Sequence, residues 1–294
     1  MYSFVSQGVL SLSNTINKNS TRQGSLVVVD VQRAIRFGTL FVAEARLRTM
    51  AKWILSLLTS SLLNPFFYLM SLGIGVGTFV NARAGSTGID GEKYIVFLAP
   101  ALLASVAIQD FMSEVTFPVL QGFKWDKTYF AMNATPLGGR QIALGTYFSS
   151  ALRTLGSVLI YFAVLVSFGA VQPAHAWPMM ITSIYAAGCF AAVMLAAAAA
   201  TENDDLFLNL MGRLLIMPLF LFSGTFYPLA SMPLPLQVIG WISPLWHSTE
   251  LGRWVSYGHH ISTEMIFVHF IYLTALLIGG LLWAFNRFEY RLSK

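Results

Sequence analysis

The sequence is poor in cysteine and in charged residues. Cys189 is its one cysteine, which excludes an internal disulfide framework and a cysteine-based metal site. Only 11% of its 294 residues are charged, whereas 56% are hydrophobic. One globular core cannot bury so much apolar surface, so the composition indicates an integral membrane protein.

The motifs of several enzyme classes are also missing. The sequence contains no phosphate-binding GxxxxGK[ST] and no GxSxG, so this chain cannot by itself be a P-loop ATPase. Its histidines match no HExxH or other ligand spacing, and no metal site is predicted. The net charge of +5 comes from basic residues near membrane ends, so nucleic acid is not an expected partner.

The N-terminal region divides into a polar part and a basic part. Residues 1–32 begin with a Ser-, Asn- and Thr-rich stretch without a signal-peptide core, and they are interpreted as a mobile cytoplasmic tail. Residues 33–52 mix apolar side chains with Arg, Glu and Lys. This pattern predicts an amphipathic helix on the inner leaflet, with a solvated linker helix as the alternative.

Six apolar segments follow, each near the roughly 20 residues that cross a bilayer. The predicted spans are 53–80, 94–113, 142–171, 178–200, 206–227 and 265–285. An even number places both termini on one side. All of the 18 Lys and Arg residues except Arg83, Lys93 and Arg253 then share that side, so the positive-inside rule predicts cytoplasmic termini.

Two stretches between the spans are unusual. Residues 219–253 are hydrophobic but are interrupted by four prolines, so they are predicted to dip into the outer face of the membrane without crossing it. Residues 123–140 combine aromatic and charged side chains and end at a Gly-Gly turn. That composition indicates either a segment that docks on a soluble partner or a helix on the membrane surface.

Charged residues at membrane depth form a third feature. Asp110 and Glu114 are one helical turn apart, so both carboxylates lie on one face near the inner end of the second span. Such groups are costly unless they are paired or reach water. Arg153 and Arg213 are the predicted partners, and structural ion pairs are favoured over a proton relay.

Two blocks of sequence resemble ABC-2 type transporter permeases, in particular the daunorubicin-type drug exporters and the nodulation lipo-oligosaccharide exporters. The first block is Trp125-Asp126-Lys127-Thr128-Tyr129 with Thr135-Pro136-Leu137. The second is Phe222-Ser223-Gly224-Thr225-Phe226-Tyr227-Pro228, followed by Met232-Pro233, Leu236-Gln237, Pro244-Leu245-Trp246-His247 and Arg253. The resemblance extends from about residue 33 to the C-terminus.

The resemblance implies an all-α integral membrane fold for residues 33–294. Its parts are six transmembrane helices, an N-terminal amphipathic interfacial helix, a cytoplasmic coupling helix and an extracellular re-entrant helical hairpin. The chain would be a non-catalytic half-transporter in a bacterial inner membrane. It would pair with a second permease, identical or homologous, and with two copies of a separately encoded ABC ATPase. That partner would bind ATP and Mg, while this chain holds no cofactor.

The resemblance also assigns roles to particular residues. The expected contacts to the ATPase are Trp125, Asp126, Lys127, Tyr129, Phe130, Thr135 and Pro136. The expected exit block for a lipidic or amphipathic substrate (drug, glycolipid or lipid-linked saccharide) is Phe222, Gly224, Phe226, Tyr227, Pro228, Pro244 and His247. Within this block, His247 is expected to act as a hydrogen-bonding brace.

Two other functional classes stay open at this point. A membrane-embedded lipid-modifying enzyme could use Asp110, Glu114 or the histidines His259 and His260. An ion-coupled secondary transporter is less favoured, because the sequence has one carboxylate pair at membrane depth and no internal inverted repeat. An attached ATPase subunit would distinguish the exporter from both.

Overall fold

The computed structural model describes residues 31–52, 55, 59, 62–63, 66–84, 89–201, 207 and 211–294. Regular structure within these ranges is helical, and the only β feature among them is an isolated bridge between Ile89 and Glu92. The α-helices are α1 (Val31–Ala51), α2 (Gly77–Ala84), α3 (Tyr94–Lys124), α4 (Thr128–Asn133), α5 (Gly139–Ser167), α6 (Pro173–Ala176), α7 (Pro178–Ala200), α8 (Met217–Phe222), α9 (Leu234–Ile242), α10 (Pro244–Tyr257) and α11 (Thr263–Leu292). π-Helical stretches at Leu69–Val76 and Met211–Ile216 lead into α2 and α8, and a 3₁₀ turn covers Leu229–Ser231.

Four helical stretches of the described chain are long and apolar enough to cross a membrane. They are α3, α5, the α6–α7 stretch Pro173–Ala200 and α11. The prediction of an all-α membrane fold is therefore confirmed. The predicted spans 53–80 and 206–227 lie partly outside the described residues.

The helix boundaries differ from the predicted spans at several places, including the end of α11, which continues to Leu292 instead of 285. The helix that holds the predicted span 94–113 continues to Lys124, because apolar side chains continue past its charged turn and pack inside the bundle. The helix of the predicted span 142–171 ends earlier, at Ser167. It ends there because Gly169 adopts a φ of 65°, a left-handed conformation that a helix cannot contain.

Close packing of small side chains holds the bundle together. α7 packs against both α3 and α11. Gly280 of α11 faces the α7 backbone so closely that an added Cβ would lie 2.6 Å from the nitrogen of Val193. Association between helices in lipid depends on such close backbone approach, because burial from water contributes little there.

The bundle has two ends, which organise the functional features. At one end lie Lys124, the short helix α4 and the C-terminal residue of α11, and Asn133 donates to the carbonyl of Leu292 at 3.2 Å. At the other end Tyr94 begins α3, and its hydroxyl donates to the carbonyl of Phe226 at 3.2 Å. We call these the Lys124 end and the Tyr94 end.

Helix α1 lies along α5 at the Lys124 end. Val42 of α1 is buried against Gly145 of α5. A Cβ added at Gly145 would lie 2.5 Å from Val42 Cβ and 2.7 Å from the carbonyl oxygen of Thr39. The absence of a side chain at Gly145 is therefore what allows α1 to reach α5.

Gly145→Ala is expected to lower the melting temperature of the purified chain. The steric conflict with α1, typically 1–3 kcal/mol in a packed interior, outweighs the roughly 1 kcal/mol by which Ala favours a helix over Gly. Gly156→Ala on the same helix is the matched control, since nothing lies within 4 Å of its added Cβ. Equal melting temperatures for the two variants would contradict the α1–α5 contact.

Candidate functional site

The residues expected to contact the ATPase lie between Trp125 and Pro136, and we call this stretch segment 125–136. It has an exposed face and a buried face. Trp125 is 53% exposed and Phe130 is 36% exposed, and Asp126 and Lys127 are exposed beside them. Tyr129 is only 2% exposed. The exposed side chains are available to a partner protein at this end of the bundle, whereas the Tyr129 side chain packs inside the bundle.

A tight turn at the end of α3 creates this arrangement. The amide of Gln121 donates to the carboxylate of Asp126 at 2.9 Å. Lys127 then adopts a left-handed φ of 51° and starts α4 in a new direction. α4 folds back so closely that an added Cβ at Gly122 would lie 2.6 Å from the Tyr129 ring.

Tyr129 anchors α4 to the body of the protein. Its ring lies 4.8 Å from that of Phe123 and 5.5 Å from that of Phe288, centroid to centroid. Its hydroxyl accepts a hydrogen bond from Arg46 Nη1 at 2.8 Å. The fold-back over Gly122 therefore buries Tyr129 and lets it hold α4 in place, while its expected contact with an ATPase stays a prediction.

The start of α5, which follows the segment, is fixed to α11. Arg140 Nε lies 2.8 Å from Glu289 Oε1, and an added Cβ at Gly139 would lie 3.0 Å from the Glu289 backbone nitrogen. Thr135 and Pro136 are exposed, and the Thr135 hydroxyl donates to the carbonyl of Met132 at 2.6 Å, closing the turn that follows α4. The exposed face therefore lies on a segment supported from behind by α3 and α11.

The predicted charged group at membrane depth lies near this segment. Arg153 Nη1 is 3.3 Å from Glu114 Oε1, and both side chains are largely buried. The same turn of α3 binds α1, since the carbonyl of Glu114 accepts from Arg46 Nη2 at 3.3 Å. Asp110 is half-buried one turn away, and the side chain of Arg213 lies outside the described residues.

At the Tyr94 end, the second motif block folds around Gly224 and Arg253. Gly224 has a φ of 70°, which turns the chain sharply after α8. Its carbonyl accepts from Arg253 Nη2 at 2.8 Å. Arg253 is 1% exposed, and its guanidinium carbon lies 3.7 Å from the centroid of the Phe97 ring. Arg253 Nη1 also pairs with Glu250 at 3.1 Å.

The two helices after this turn, α9 and α10, meet at Ser243. The Ser243 hydroxyl lies 2.5 Å from that of Ser223 and accepts from the Leu245 amide at 3.2 Å, capping α10. Pro244 occupies the first position of α10, where its missing N–H has no helical partner to lose. An added Cβ at Gly240 would lie 2.8 Å from the carbonyl oxygen of Phe222, so α9 packs directly on the end of α8.

The aromatic residues of the block divide between packing and exposure. The Phe226 ring packs edge-on against that of Phe220 at 5.0 Å, while Tyr227 is exposed. Pro228 precedes the 3₁₀ turn at Leu229–Ser231. An apolar surface therefore surrounds the turn at Gly224.

His247 connects three helices. Its Nε2 lies 3.0 Å from the carbonyl oxygen of Trp241 on α9, and its Nδ1 lies 2.6 Å from His269 Nδ1 on α11. A carbonyl only accepts, so His247 Nε2 carries the proton, and His269 Nδ1–H donates to His247 Nδ1. The His247 ring also stacks on Tyr272 at 4.2 Å. His247 thus bridges α9, α10 and α11.

Sequence reasoning missed His269 as the partner of His247. His269 lies in the predicted span 265–285 and is 1% exposed. A buried ionisable group inside an apolar span requires a partner, and this was the available signal. The two histidines are 22 positions apart in the sequence, so no local pattern reveals their pairing.

A series of charged side chains continues from Arg253 toward the surface of the protein. Glu250 Oε2 lies 3.3 Å from His259 Nε2, and His259 Nδ1 lies 3.6 Å from Asp90 Oδ2. The hydrogen bond to Glu250 raises the pKa of His259 above its usual value; burial opposes this, while the charges of Glu250 and Asp90 add to it. In the part of the chain that the structure describes, no group of three or more His, Cys, Asp and Glu residues could hold a metal ion.

The His259 contact is expected to make stability depend on pH. The folded pKa is raised above the unfolded value of about 6.5. Its stabilising contribution is therefore fully present below that unfolded pKa and is lost as pH rises through the folded pKa. The melting temperature of the wild type should exceed that of His259→Asn in mild acid. The difference between the two melting temperatures should become smaller in alkali.

His260→Asn is the control for this measurement, because the side chain of His260 is exposed. The melting temperature of His260→Asn should equal that of the wild type across the pH range. A gap between wild type and His259→Asn that does not change with pH would contradict the linkage.

Comparison with known proteins assigns segment 125–136 and the block around Gly224 to one protein family. The family model described as ABC-2 type transporter matches residues 44–257, well over half of the chain. The chain belongs to the ABC-2 type transporter family. The match includes both segment 125–136 and the whole block from Phe222 to Arg253, and the resemblance inferred from those motifs is confirmed.

Several curated relatives carry the name nodulation protein J. The protein from Rhizobium leguminosarum bv. trifolii is 27% identical over 244 residues, which are 78% of this chain and 88% of the relative. That from R. leguminosarum bv. viciae is 27% identical over 236 residues, 76% of this chain and 87% of the relative. That from Sinorhizobium fredii is 25% identical over 199 residues, 66% and 71% of the two chains. The similarity thus covers most of both proteins.

Proposed function

We propose that this chain is the permease subunit of an ATP-driven exporter. The complex would contain two permeases, identical or homologous, and two copies of a separately encoded ABC ATPase that binds ATP and Mg. The substrate would be lipidic or amphipathic, such as a drug, a glycolipid or a lipid-linked saccharide. It would move out of the cytoplasm or the inner leaflet of a bacterial inner membrane.

The observation that carries the proposal is the exposed aromatic and charged face of segment 125–136. It combines Trp125 and Phe130 with Asp126 and Lys127 on a segment that is fixed from behind. The sequence lacks a P-loop, so energy from ATP must enter through a partner. A rigidly supported, exposed aromatic surface is suited to receive that partner.

The proposal includes a topology. The four long helices would be joined by two further spans at 53–80 and 206–227, giving six, with both termini and the Lys124 end in the cytoplasm. α1 would lie at the inner leaflet with its exposed Leu40 and Phe41 toward lipid. The Tyr94 end would then face outward, and α9 and α10 would form a re-entrant hairpin.

The mechanism follows from these positions. Closure of the ATPases would displace α4, and α3 and α11 would transmit that displacement because α4 is fixed to both. The block around Gly224 would open or close the outer exit. Phe222 and Tyr227 would be apolar contacts for the substrate there. His247 and Arg253 would hold the hairpin together during this movement.

Charge pairing argues against the enzyme alternative. Glu114 Oε1 lies 3.3 Å from Arg153 Nη1, so its carboxylate is engaged in a largely buried ion pair. The pairing therefore favours a structural role for Glu114 within the bundle.

The composition of the complex tests the proposal. The full-length chain would be co-expressed with each ABC ATPase of the same genome in turn, extracted into lipid nanodiscs and measured by native mass spectrometry. We expect a particle of two permeases and two ATPases. A particle that contains only this chain, or this chain with a protein that is not an ATPase, would overturn the proposal.

A further inference from the structure

Arg46 lies where four helices meet. From α1, its Nη1 donates to the Tyr129 hydroxyl of α4 at 2.8 Å, and its Nε donates to Ser149 Oγ of α5 at 3.2 Å. Its Nη2 donates to the Glu114 carbonyl of α3 at 3.3 Å. One side chain thus gives α1 a direct polar contact with each of the other three.

The chemistry of arginine suits this position. A guanidinium is planar, always charged, and presents its donors in a fixed fork, whereas a lysine ammonium is a single point charge. Each of the three acceptors is met by a different nitrogen of the Arg46 guanidinium, an arrangement that the single nitrogen of a lysine does not reproduce. The bond to Tyr129 is also shielded from water, because Tyr129 is buried.

The basic neighbour on the same helix shows the contrast. Arg48 pairs with Glu44 within α1 at 2.5 Å, and both side chains are mainly exposed. It resembles the headgroup-facing cations that an interfacial helix is expected to carry. Arg46 belongs to the same basic run but points inward, at the anchor of α4.

We infer that Arg46 is a positioning residue that makes α1 move together with α4. The inference rests on the proposed function, in which an ATPase displaces segment 125–136. That displacement then reaches α1, which lies at the edge of the bundle along α5, as well as the spans that carry α4. Arg46 thereby brings the interfacial helix into the movement that ATP drives.

The first experiment measures the link in the chain alone. Spin labels are placed at the exposed positions Leu40 on α1 and Ala131 on α4, after Cys189→Ala removes the native thiol. The distance distribution is recorded in lipid nanodiscs. Arg46→Ala should raise the fraction of molecules with separated helices roughly tenfold, the effect of losing a charge-assisted hydrogen bond to a shielded partner. Arg46→Lys should give an intermediate fraction.

Arg48→Ala is the matched control, since it removes the same charge from the same helix without touching α4. It should leave the distribution unchanged. Equal distributions for wild type, Arg46→Ala and Arg48→Ala would overturn the inference, whatever the ATPase does.

The second experiment adds the ATPase and traps nucleotide with vanadate. A third label at the exposed Ile181 of α7 serves as the reference for both helices, because α7 carries neither α1 nor segment 125–136. In the wild type both α1 and α4 should shift, whereas in Arg46→Ala only α4 should shift. A purely structural role would alter the two helices alike, and a shift of α1 in Arg46→Ala equal to that of the wild type would overturn the inference.

The two experiments separate the inference from the proposed function. If no ATPase binds or α4 does not respond to nucleotide in the wild type, the proposed function fails. The distribution between Leu40 and Ala131 in the chain alone still decides whether Arg46 links the two helices.

Discussion

The ATPase is expected to dissociate from a chain that carries both Trp125→Ala and Phe130→Ala. The two side chains are the large exposed apolar groups of segment 125–136. Aromatic residues at the centre of an interface commonly contribute about 2 kcal/mol or more each, so the double variant should weaken binding by roughly a thousandfold. Pull-down of the ATPase with the solubilised permease, followed by titration of the purified subunits, measures the loss.

Two controls make this result specific. Trp177→Ala removes an equally exposed tryptophan from the opposite end of the bundle and should leave the ATPase bound. The double variant itself should keep a melting temperature close to that of the wild type, because surface substitutions change stability little. Wild-type affinity in the double variant would show that the ATPase binds elsewhere.

Arg253→Ala is expected to cause the largest loss of stability. It removes the bond to the Gly224 carbonyl, the pair with Glu250 and the contact with the Phe97 ring. Breaking a buried pair by deleting one partner costs about 3–5 kcal/mol, because the remaining charge is left buried. Thermal unfolding of the purified chain should show a drop far beyond that of Arg83→Ala, in which an exposed arginine is lost.

The origin of the Arg253 effect can be tested with a second variant. Arg253→Met combined with Glu250→Gln removes both charges and keeps similar volume, so it should recover much of the lost stability. A double variant as unstable as Arg253→Ala would place the effect in the Gly224 bond and the aromatic contact. Wild-type stability of Arg253→Ala would contradict the role of Arg253 in fixing the block.

Local patterns in the sequence predicted the elements well. A helix was expected at 33–52, and a helix is observed at Val31–Ala51, because the spacing of apolar and charged residues is a property of the helix itself. The four long helices follow from apolar length in the same way. Four prolines correctly indicated that 219–253 is not a single helix, since each removes a backbone donor.

Local patterns could not predict which side chains of an element face inward. Trp125 and Tyr129 look alike in an amphipathic segment, and only the fold-back over Gly122 buries one of them. Arg46 belongs to a basic run typical of lipid contact. Its side chain nevertheless points into the bundle, because Tyr129 of α4 accepts its hydrogen bond there. The pair of His247 and His269 depends on how α10 packs on α11. These are tertiary contacts, and spacing in the sequence does not encode them.

ATP hydrolysis by the assembled complex in lipid nanodiscs tests the central claim most directly. We predict hydrolysis that vanadate inhibits, that copurifies with the wild-type chain, and that is lost from preparations of the Trp125→Ala, Phe130→Ala variant while remaining with Trp177→Ala. A wild-type chain that purifies without hydrolytic activity, or a double variant that retains the wild-type rate, would contradict the account of this protein as an ATP-driven permease coupled through segment 125–136.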